Sequence, residues 1–277
     1  IAPKLFEQLG AKVTKLFCLV DGSFPNHHPD PSKLHNLEDI IREVINTNAD
    51  MGFAFDGDGD RLGLIDNKGN VIWADRQMIL YSRDILERNP GAKIVFDVKC
   101  SSLLPKDISE HGGEPIMSRT GHSFIKAKLK ETGAALGGEM SGHIFFKERW
   151  YGFDDALYTG ARLLEIISKT DQTCAEVFAD LPDSINTPEI NIHFDEQGDQ
   201  FKAMDKLATN VDFEGAEITT IDGVRVDYPN GWGLVRPSNT TPCLVLRFEA
   251  DNQKTIEDIQ TKFRTWLEAN DISTKDF

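Results

Sequence analysis

Three carboxylates alternate with glycines in the segment DGDGD at 56–60, directly after the apolar run 51–55. Glycine permits the tight backbone that turns alternate side chains toward one point, and carboxylates gathered there repel one another unless a cation relieves them. A hard divalent ion with oxygen ligands, Mg²⁺ for choice, suits three carboxylates and leaves coordination positions for a phosphate oxygen. The loop therefore predicts a magnesium site formed by Asp56, Asp58 and Asp60.

Other interpretations of this acidic loop are less favoured. An EF-hand requires Gly at its sixth position and Glu at its twelfth, where this chain has Arg61 and Asn67, so that interpretation fails. A haloacid-dehalogenase-like phosphatase would use Asp56 as its nucleophile, but it expects Thr or Val where Asp60 stands. A solvated acidic turn is usual for charge runs, and the strict alternation with Gly beside an apolar run argues against it.

A second glycine-rich segment, GGEMSGH at 137–143, lies between two apolar runs. Glu139 and Ser141 can exchange hydrogen bonds with sugar hydroxyls, while His143 can meet a phosphate or exchange a proton. Taken alone, the segment is explained equally well by a glycine-rich strand crossover.

A third segment, RPSNTTP at 236–242, follows a predicted hairpin. One guanidinium, several hydroxyls, an amide and the backbone N–H groups form a donor-rich cradle that suits a phosphate. Its candidate ligands are Arg236, Ser238, Asn239 and Thr240. Taken alone, the segment fits a plain turn better.

Two further residues stand at predicted strand-to-helix junctions, where sites form in α/β proteins: Lys99 and His122. A lone Lys or His is more often structural or solvated than catalytic. His27 and His28 need no role beyond a solvated polar loop.

The first part of the chain, residues 1–70, predicts most of one α/β domain. A helix at 1–12 with Leu5, Leu9 and Phe6 facing inward precedes a strand at 13–20. The next helix has Asn36 as its predicted N-cap. Its apolar stripe comprises Leu37, Ile40, Ile41, Val44 and Ile45. A buried strand at 51–55 and another at 62–65 flank the acidic loop. Because no strand precedes the first helix, we expect the natural protein to continue upstream.

The second part, residues 71–182, alternates helices and strands, which predicts a mainly parallel sheet covered by helices on both faces. Its predicted helices are 76–87, 103–110, 123–131 and 156–168, and its predicted strands are 93–98, 115–118, 134–136 and 143–147.

The third part, residues 183–277, has the pattern of a smaller α+β domain with helices on one face of its sheet. Strands at 224–228 and 232–235 form a hairpin, and a strand at 244–249 precedes the last helix. The inward face of that helix comprises Ile256, Ile259, Phe263, Trp266 and Leu267. The fold class is therefore α/β, with two α/β domains of mainly parallel mixed sheets, the first incomplete, followed by this α+β domain.

The composition of the chain argues against some classes of binding partner. A formal net charge of −15 argues against nucleic acid and anionic membranes. No apolar run reaches the roughly 18–20 residues of a membrane span, and the N-terminus lacks the order of a signal peptide. Cys18, Cys100, Cys174 and Cys243 are scattered, with Cys18 and Cys243 in apolar stretches typical of buried thiols. A reducing, cytoplasmic setting is predicted. The oligomeric state stays open.

The three loops, DGDGDR, GEMSGH and RPSNTTP in this order, resemble the α-D-phosphohexomutase family, above all its bacterial phosphomannomutase/phosphoglucomutase branch. The resemblance extends through FPNHHPDP, FDVKC, TGHS and FFKERWYGFDDA. It implies domains 2, 3 and 4 of a four-domain enzyme and an interconversion of hexose 1-phosphate and 6-phosphate. The reaction would proceed through a phosphoserine and a 1,6-bisphosphate, with mannose or glucose phosphates as substrates.

The resemblance also implies roles for residues. The acidic loop would hold Mg²⁺, the second loop the sugar and the third the phosphate that is not reacting. Arg61, Lys99 and His122 match positions near the reacting phosphoryl group, as charge-stabilising or proton-transfer residues. Met140 favours the mannose and glucose branch over phosphoglucosamine mutases, which remain an alternative.

One departure limits what this chain can do. The family's nucleophile lies in a Thr/Ser-x-Ser-His-Asn-Pro type of motif in domain 1, and the sequence contains none. We therefore expect the chain alone to lack mutase activity. A phosphosugar-binding protein without catalysis is the alternative from another class.

Overall fold

The computed structural model describes residues 1–275 and 277, which fall into two compact units. The first contains residues 1–100, 104–117 and 121–182, and the second contains residues 183–277 with the short pieces 101–103 and 118–120. In the described part of the chain, no helix has the length and apolarity needed to cross a membrane.

The first unit begins with an antiparallel sheet of three strands: β1 (Met51–Phe55), β2 (Leu62–Asp66) and β3 (Val71–Ile72). The prediction of a mainly parallel sheet is wrong here, since short connections join antiparallel neighbours and a parallel pair needs a longer crossover. The strand β1 was expected to be buried, but it is mostly half-buried. The acidic loop is therefore the short connection between β1 and β2.

The first helix is shorter than expected. It runs as α1 (Ala2–Gln8) and buries Phe6 against Phe53 and Phe55, at ring-centroid distances of 5.3 and 6.2 Å. Leu5 is half-buried, whereas Leu9 is 56% exposed and does not face inward.

Residues 13–20 form no strand, and Leu19 and Val20 are almost fully exposed. A strand needs a neighbour that satisfies its backbone N–H and C=O groups, and among the described residues this segment joins no sheet. Cys18, expected to be buried, is exposed for the same reason. The prediction of a strand from the apolar pattern of residues 13–20 is therefore wrong.

The helix before β1 is α2 (Glu38–Thr47), preceded by a 3₁₀ turn (Leu34–Leu37). Asn36 is not its N-cap, because its amide is buried in the turn and donates to the Asp30 backbone oxygen at 3.0 Å. Leu37 and Val44 are buried as predicted, but Ile45 is 49% exposed. Ile40 and Ile41 pack on the same core cluster.

The second sheet of the first unit has the order β5–β4–β6–β7, with β4 and β6 parallel and β6 and β7 antiparallel. Its strands are β4 (Lys93–Asp97), β5 (Glu114–Ser118), β6 (Leu136–Gly138) and β7 (Ile144–Phe146). The helices are α3 (Ala74–Arg88), α4 (Leu103–Glu110), α5 (His122–Thr132), α6 (Ala156–Ile167) and α7 (Cys174–Ala179). The predicted alternation is confirmed, with bounds shifted by a few residues.

The helix α7 was not predicted. Its signal is a capping box, in which Thr173 and Glu176 bond each other's backbone N–H groups.

Antiparallel strands build the sheet of the second unit in the order β10–β11–β12–β13–β8, and β9 also pairs with β13. They are β8 (Ile185–Asn186), β9 (Ile190–His193), β10 (Glu217–Thr219), β11 (Val224–Tyr228), β12 (Gly231–Pro237) and β13 (Cys243–Ala250). The unpredicted α8 (Asp199–Ala208) and the last helix, α9 (Gln253–Ala269), share one hydrophobic core with this sheet. The five apolar residues expected on α9 are all buried.

Candidate functional site

Asp56 organises the acidic loop. Its Oδ1 accepts hydrogen bonds from the backbone N–H groups of Gly59, Asp60 and Arg61 at 3.0–3.1 Å. Its Oδ2 accepts from Arg61 Nε at 2.7 Å. Burial opposes ionisation, but the Arg61 hydrogen bonds hold the pKa of Asp56 below its usual value. The carboxylate therefore stays charged and fixes the turn, which Gly59 allows with a φ of +76°.

The three predicted metal ligands do come together. Asp56, Asp58 and Asp60 each offer a carboxylate oxygen, and these oxygens lie within 4.8 Å of one another. Burial raises the pKa of Asp60 to about 6, and the charges of Asp56 and Asp58 add to this rise while His143 opposes it. This set of oxygen donors with excess negative charge fits a hard divalent cation.

Arg61, predicted to be catalytic, is held from two sides. In addition to Asp56, its Nη1 donates to Asp30 Oδ1 at 3.0 Å. Ser32 fixes Asp30 through its backbone N–H and its hydroxyl, at 3.0 and 2.7 Å. The polar loop before α2, which carried no assigned role, thus positions the Arg61 guanidinium.

The glycine-rich loop meets the acidic loop through the backbone. Leu62 N–H donates to Gly142 O at 3.2 Å, and Arg61 and His143 form an isolated antiparallel bridge. Gly142 has a φ of +108°, and a Cβ there would lie 3.3 Å from Arg61 Cβ. Glycine at this position therefore lets the two predicted loops lie side by side.

Other glycines of this segment serve packing. A Cβ on Gly137 would lie 2.9 Å from Ile125 and Leu129 side-chain atoms, and one on Gly138 would lie 2.4 Å from Met78 Sδ. Gly137 and Gly138, which belong to β6, are therefore explained by packing of the strand and not by contact with a ligand.

Buried Glu139 and half-buried His143 form a pair in the turn after β6. His143 Nδ1 lies 3.1 Å from Glu139 Oε2 and 3.1 Å from Ser141 Oγ, and the Gly121 N–H donates to Glu139 Oε1. Burial opposes the ionisation of Glu139, but these hydrogen bonds from His143 and Gly121 hold its pKa below the usual value. The three residues predicted to hold a sugar are thus one hydrogen-bonded group.

His122, the first residue of α5, stacks on His143 with 5.6 Å between ring centroids. Its Nδ1 is 3.4 Å from Asp154 Oδ2 and 3.1 Å from Lys126 Nζ, which is itself 3.0 Å from Asp154 Oδ1. His143 Nε2 lies 3.2 Å from Asp60 Oδ1. The structure thereby joins His122 to the acidic and glycine-rich loops.

Lys99 is buried just after β4 and interacts electrostatically with Asp97 and Glu139. Asp97 Oδ1 accepts from Met140 N–H at 3.1 Å, so β4 also supports the glycine-rich loop. Burial raises the pKa of Asp97, an effect that Lys99 opposes and Glu139 increases. Arg61, Lys99 and His122 all lie around the same loops of the first unit.

The third predicted loop lies in the second unit, at the end of β12. Arg236 is buried, and its Nε donates to Asp222 Oδ2 at 2.9 Å. Its Nη2 is also buried and has no hydrogen-bond partner among the described residues. A buried guanidinium N–H group without a partner is costly, so this atom is suited to an anionic ligand.

The hydroxyl of Ser238 shapes the rest of the loop. Ser238 Oγ accepts from the Thr240 and Thr241 N–H groups at 3.3 and 3.2 Å, and it lies 2.9 Å from Thr241 Oγ1. Gln200 on α8 donates to the Ser238 backbone oxygen at 3.2 Å. Asn239 and Thr240 are exposed and available to a ligand.

Sequence reasoning missed several residues that position the site, namely Asp30, Asp97, Asp154, Gln200 and Asp222. Most of their partners lie tens of positions away along the chain, and no local spacing records such contacts. Asp222 gives a weak local signal, because it precedes Gly223, whose added Cβ would lie 2.2 Å from Val235 O. Only a glycine fits where β11 starts beside β12.

Comparison with known proteins identifies the family of the chain. Family profiles for phosphoglucomutase/phosphomannomutase match in series: the alpha/beta/alpha domain II at residues 1–69, the alpha/beta/alpha domain III at 73–185 and the C-terminal domain at 189–265. The chain belongs to the phosphoglucomutase/phosphomannomutase family, the α-D-phosphohexomutases. The family resemblance read from the three loops is confirmed.

Individual relatives are similar over nearly the whole chain. A phosphomannomutase/phosphoglucomutase of Pseudomonas putida is 58% identical over 96% of this chain, and a phosphoglucomutase of Neisseria meningitidis is 59% identical over 97%. A crystal structure of a phosphoglucomutase/phosphomannomutase family protein from Burkholderia thailandensis covers 100% of the chain with a TM-score of 0.93 and 51% identity. The chain spans 58% of the length of each of these two curated relatives and 59% of the crystallised one.

Proposed function

We propose that the protein to which this chain belongs interconverts hexose 1-phosphates and hexose 6-phosphates, with mannose and glucose as the hexoses. The observation that carries the proposal is the backbone contact between the acidic and glycine-rich loops at Arg61 and His143. This contact supports the proposal because the residues proposed to hold a metal then lie beside those proposed to hold a sugar, as a phosphosugar needs. The names of the curated relatives support the same reaction.

Mg²⁺ is the proposed cofactor, held by Asp56, Asp58 and Asp60. When bound, it would supply charge neutralisation to a phosphoryl group in transfer. Arg61 adds a cation whose two carboxylate partners keep it in place. Around it, Lys99 supplies a buried positive charge, and His122 can carry a proton beside Asp154.

The sugar is proposed to lie against Glu139, Ser141 and His143. Ionised Glu139 accepts hydrogen bonds, and Ser141 both donates and accepts, so the pair can read hydroxyl groups of a hexose. Their mutual hydrogen bonds through His143 hold them before a ligand arrives, which limits the ordering cost of binding.

The phosphate that does not react is proposed to bind Arg236, Ser238, Asn239 and Thr240. The buried Arg236 Nη2 without a described partner supports this assignment, because an anion would satisfy it. A second phosphate site is what a bisphosphate intermediate requires when it turns between two orientations.

Transfer itself needs a phosphoserine, and no Ser-His-Asn-Pro motif occurs in the 277 residues. We therefore propose that this chain binds phosphohexoses and does not turn them over. The cytoplasmic location remains a prediction.

Titration calorimetry tests the binding claim. Glucose 1-phosphate and mannose 1-phosphate should bind the chain in the presence of Mg²⁺, and the unphosphorylated sugars should bind far more weakly. Equal affinities for glucose and glucose 1-phosphate would contradict the proposal. A preference for glucosamine 1-phosphate would move it to the phosphoglucosamine branch.

A further inference from the structure

A second group of metal-type ligands lies beside the acidic loop. Asp60, His143 and Asp154 each offer a ligand atom, and the three atoms lie within 4.8 Å of one another. His143 Nε2 is 3.2 Å from Asp60 Oδ1 and 4.0 Å from Asp154 Oδ2. Ligands about 2.1 Å from a Zn²⁺-like ion stand roughly 3.4 Å apart, so small side-chain shifts would bring all three to one ion.

The orientation of His143 favours a metal ligand. Its Nδ1 faces Glu139 Oε2 at 3.1 Å, and an ionised carboxylate can only accept, so Nδ1 carries the hydrogen. Nε2 then points at two further carboxylates, those of Asp60 and Asp154. Those two carboxylates favour a positive charge at Nε2. A dication bound there would take the place of a second ring proton. A carboxylate bonded to the other ring nitrogen is the usual support of a metal-bound histidine.

Asp154 provides an independent observation. Its side chain is only 8% exposed, and its Oδ1 pairs with Lys126 Nζ at 3.0 Å. Its Oδ2 is buried and accepts no hydrogen bond from the described residues, although His122 Nδ1 lies 3.4 Å away. A buried carboxylate oxygen without a donor is costly. Lys126 leaves this oxygen directed at the cluster, where a cation would satisfy it.

The charge balance of the cluster points the same way. Five carboxylates act on one another here, those of Asp56, Asp58, Asp60, Glu139 and Asp154, against the three cations Arg61, Lys99 and Lys126. A divalent ion would offset the excess. One imidazole and two carboxylates suit a borderline transition-metal ion better than Mg²⁺, which prefers oxygen ligands and keeps several waters.

We propose that Asp60, His143 and Asp154 form a site for a transition-metal dication of the Zn²⁺ class. Because Asp60 also belongs to the proposed magnesium site, the two sites cannot both be filled with full ligand sets. Zn²⁺ therefore competes with Mg²⁺ for Asp60. The site does not depend on mutase activity, and it can be tested on this chain alone.

Each site has members of its own, which makes the test specific. Zn²⁺ binding would be measured by titration calorimetry in a Cys18→Ser background, because the exposed Cys18 thiol would bind Zn²⁺ by itself. Asp154→Asn should weaken Zn²⁺ binding at least about tenfold, because losing even a residue that only supports a metal ligand costs about that much. Asp58→Asn is the matched control: it should leave Zn²⁺ affinity unchanged and weaken Mg²⁺ binding.

X-ray absorption at the zinc edge should show one imidazole in the first coordination shell, and added Mg²⁺ should raise the apparent Zn²⁺ Kd. His143→Gln should lose both the imidazole signal and the Zn²⁺ affinity. If circular dichroism shows that Asp154→Asn does not fold, His143→Gln takes its place as the test of the proposed site. A chain that binds no Zn²⁺, or one whose Zn²⁺ binding is lost in Asp58→Asn and kept in Asp154→Asn, would overturn the proposal. Failure of the proposed mutase function would appear separately, as absent phosphohexose binding.

Discussion

Replacing Arg236 by lysine separates charge from geometry in the phosphate loop. Arginine holds Asp222 with Nε at 2.9 Å and keeps Nη2 buried without a described partner, so one end of the guanidinium is anchored while the other lacks a hydrogen-bond acceptor. Lysine retains the charge but has a single nitrogen, which cannot serve both ends. The variant should lose one charge-assisted hydrogen bond to phosphate, about 1.5–3 kcal/mol. That loss corresponds to roughly a 10- to 150-fold weaker Kd.

Titration calorimetry with glucose 1-phosphate and Mg²⁺ measures this change. The matched control is Arg149→Lys, whose arginine forms a bidentate surface pair with Glu165 and should leave binding unchanged. Thermal unfolding of both variants verifies that they are folded. If Arg236→Lys binds as tightly as the original chain while remaining folded, then Nη2 is not a phosphate donor and the assignment of this loop is wrong.

Two further predictions concern stability. Burial opposes the ionisation of Asp84, but hydrogen bonds from Arg88 and Arg162 hold its pKa well below the usual value. Asp84→Asn should therefore lower the free energy of unfolding at pH 7 by about 2 kcal/mol, and this difference should shrink as the pH falls below about 4, where the unfolded carboxyl becomes protonated. Gly233→Ala would place a Cβ 2.5 Å from Phe263 Cε2, so overpacking should cost about 1–3 kcal/mol.

Urea unfolding from pH 3 to pH 8 measures both effects. Asp39→Asn removes an exposed ion pair with Arg42 and should cost less than about 1 kcal/mol at any pH. Gly22→Ala adds a Cβ with nothing within 4 Å and should be nearly neutral. A loss in Asp84→Asn that stays constant down to pH 3 would show that charge is not its cause. A neutral Gly233→Ala would show that the Phe263 ring can move aside.

The positions of most helices and strands could be predicted from the sequence, because periodicity and caps are local. How strands pair could not, since hydrogen bonding across a sheet depends on connection length and on available neighbours. The acidic loop illustrates this point: its short connection makes β1 and β2 antiparallel, against the parallel prediction. Residues 13–20 carry a strand-like pattern but find no partner among the described strands.

The residues of the candidate site that belong to short sequence motifs could be predicted. The carboxylates of the acidic loop converge as their spacing indicates, and Glu139, Ser141 and His143 form one group. The residues that hold the site residues in place could not be predicted, because their contacts join distant parts of the sequence. Arg61 meets Asp30 across 31 positions, and Asp154 reaches His122 from another element altogether. Such contacts appear only once the chain is folded.

Phosphorus NMR on the complete protein encoded by the gene, beside the 277-residue chain, tests the central claim most directly. With Mg²⁺ and a trace of hexose 1,6-bisphosphate, the complete protein should convert mannose 1-phosphate and glucose 1-phosphate into the 6-phosphates, and chelation of the metal should stop it. The chain alone should bind the same compounds without converting them. Conversion by the chain alone, or none by the complete phosphorylated protein, would contradict the account.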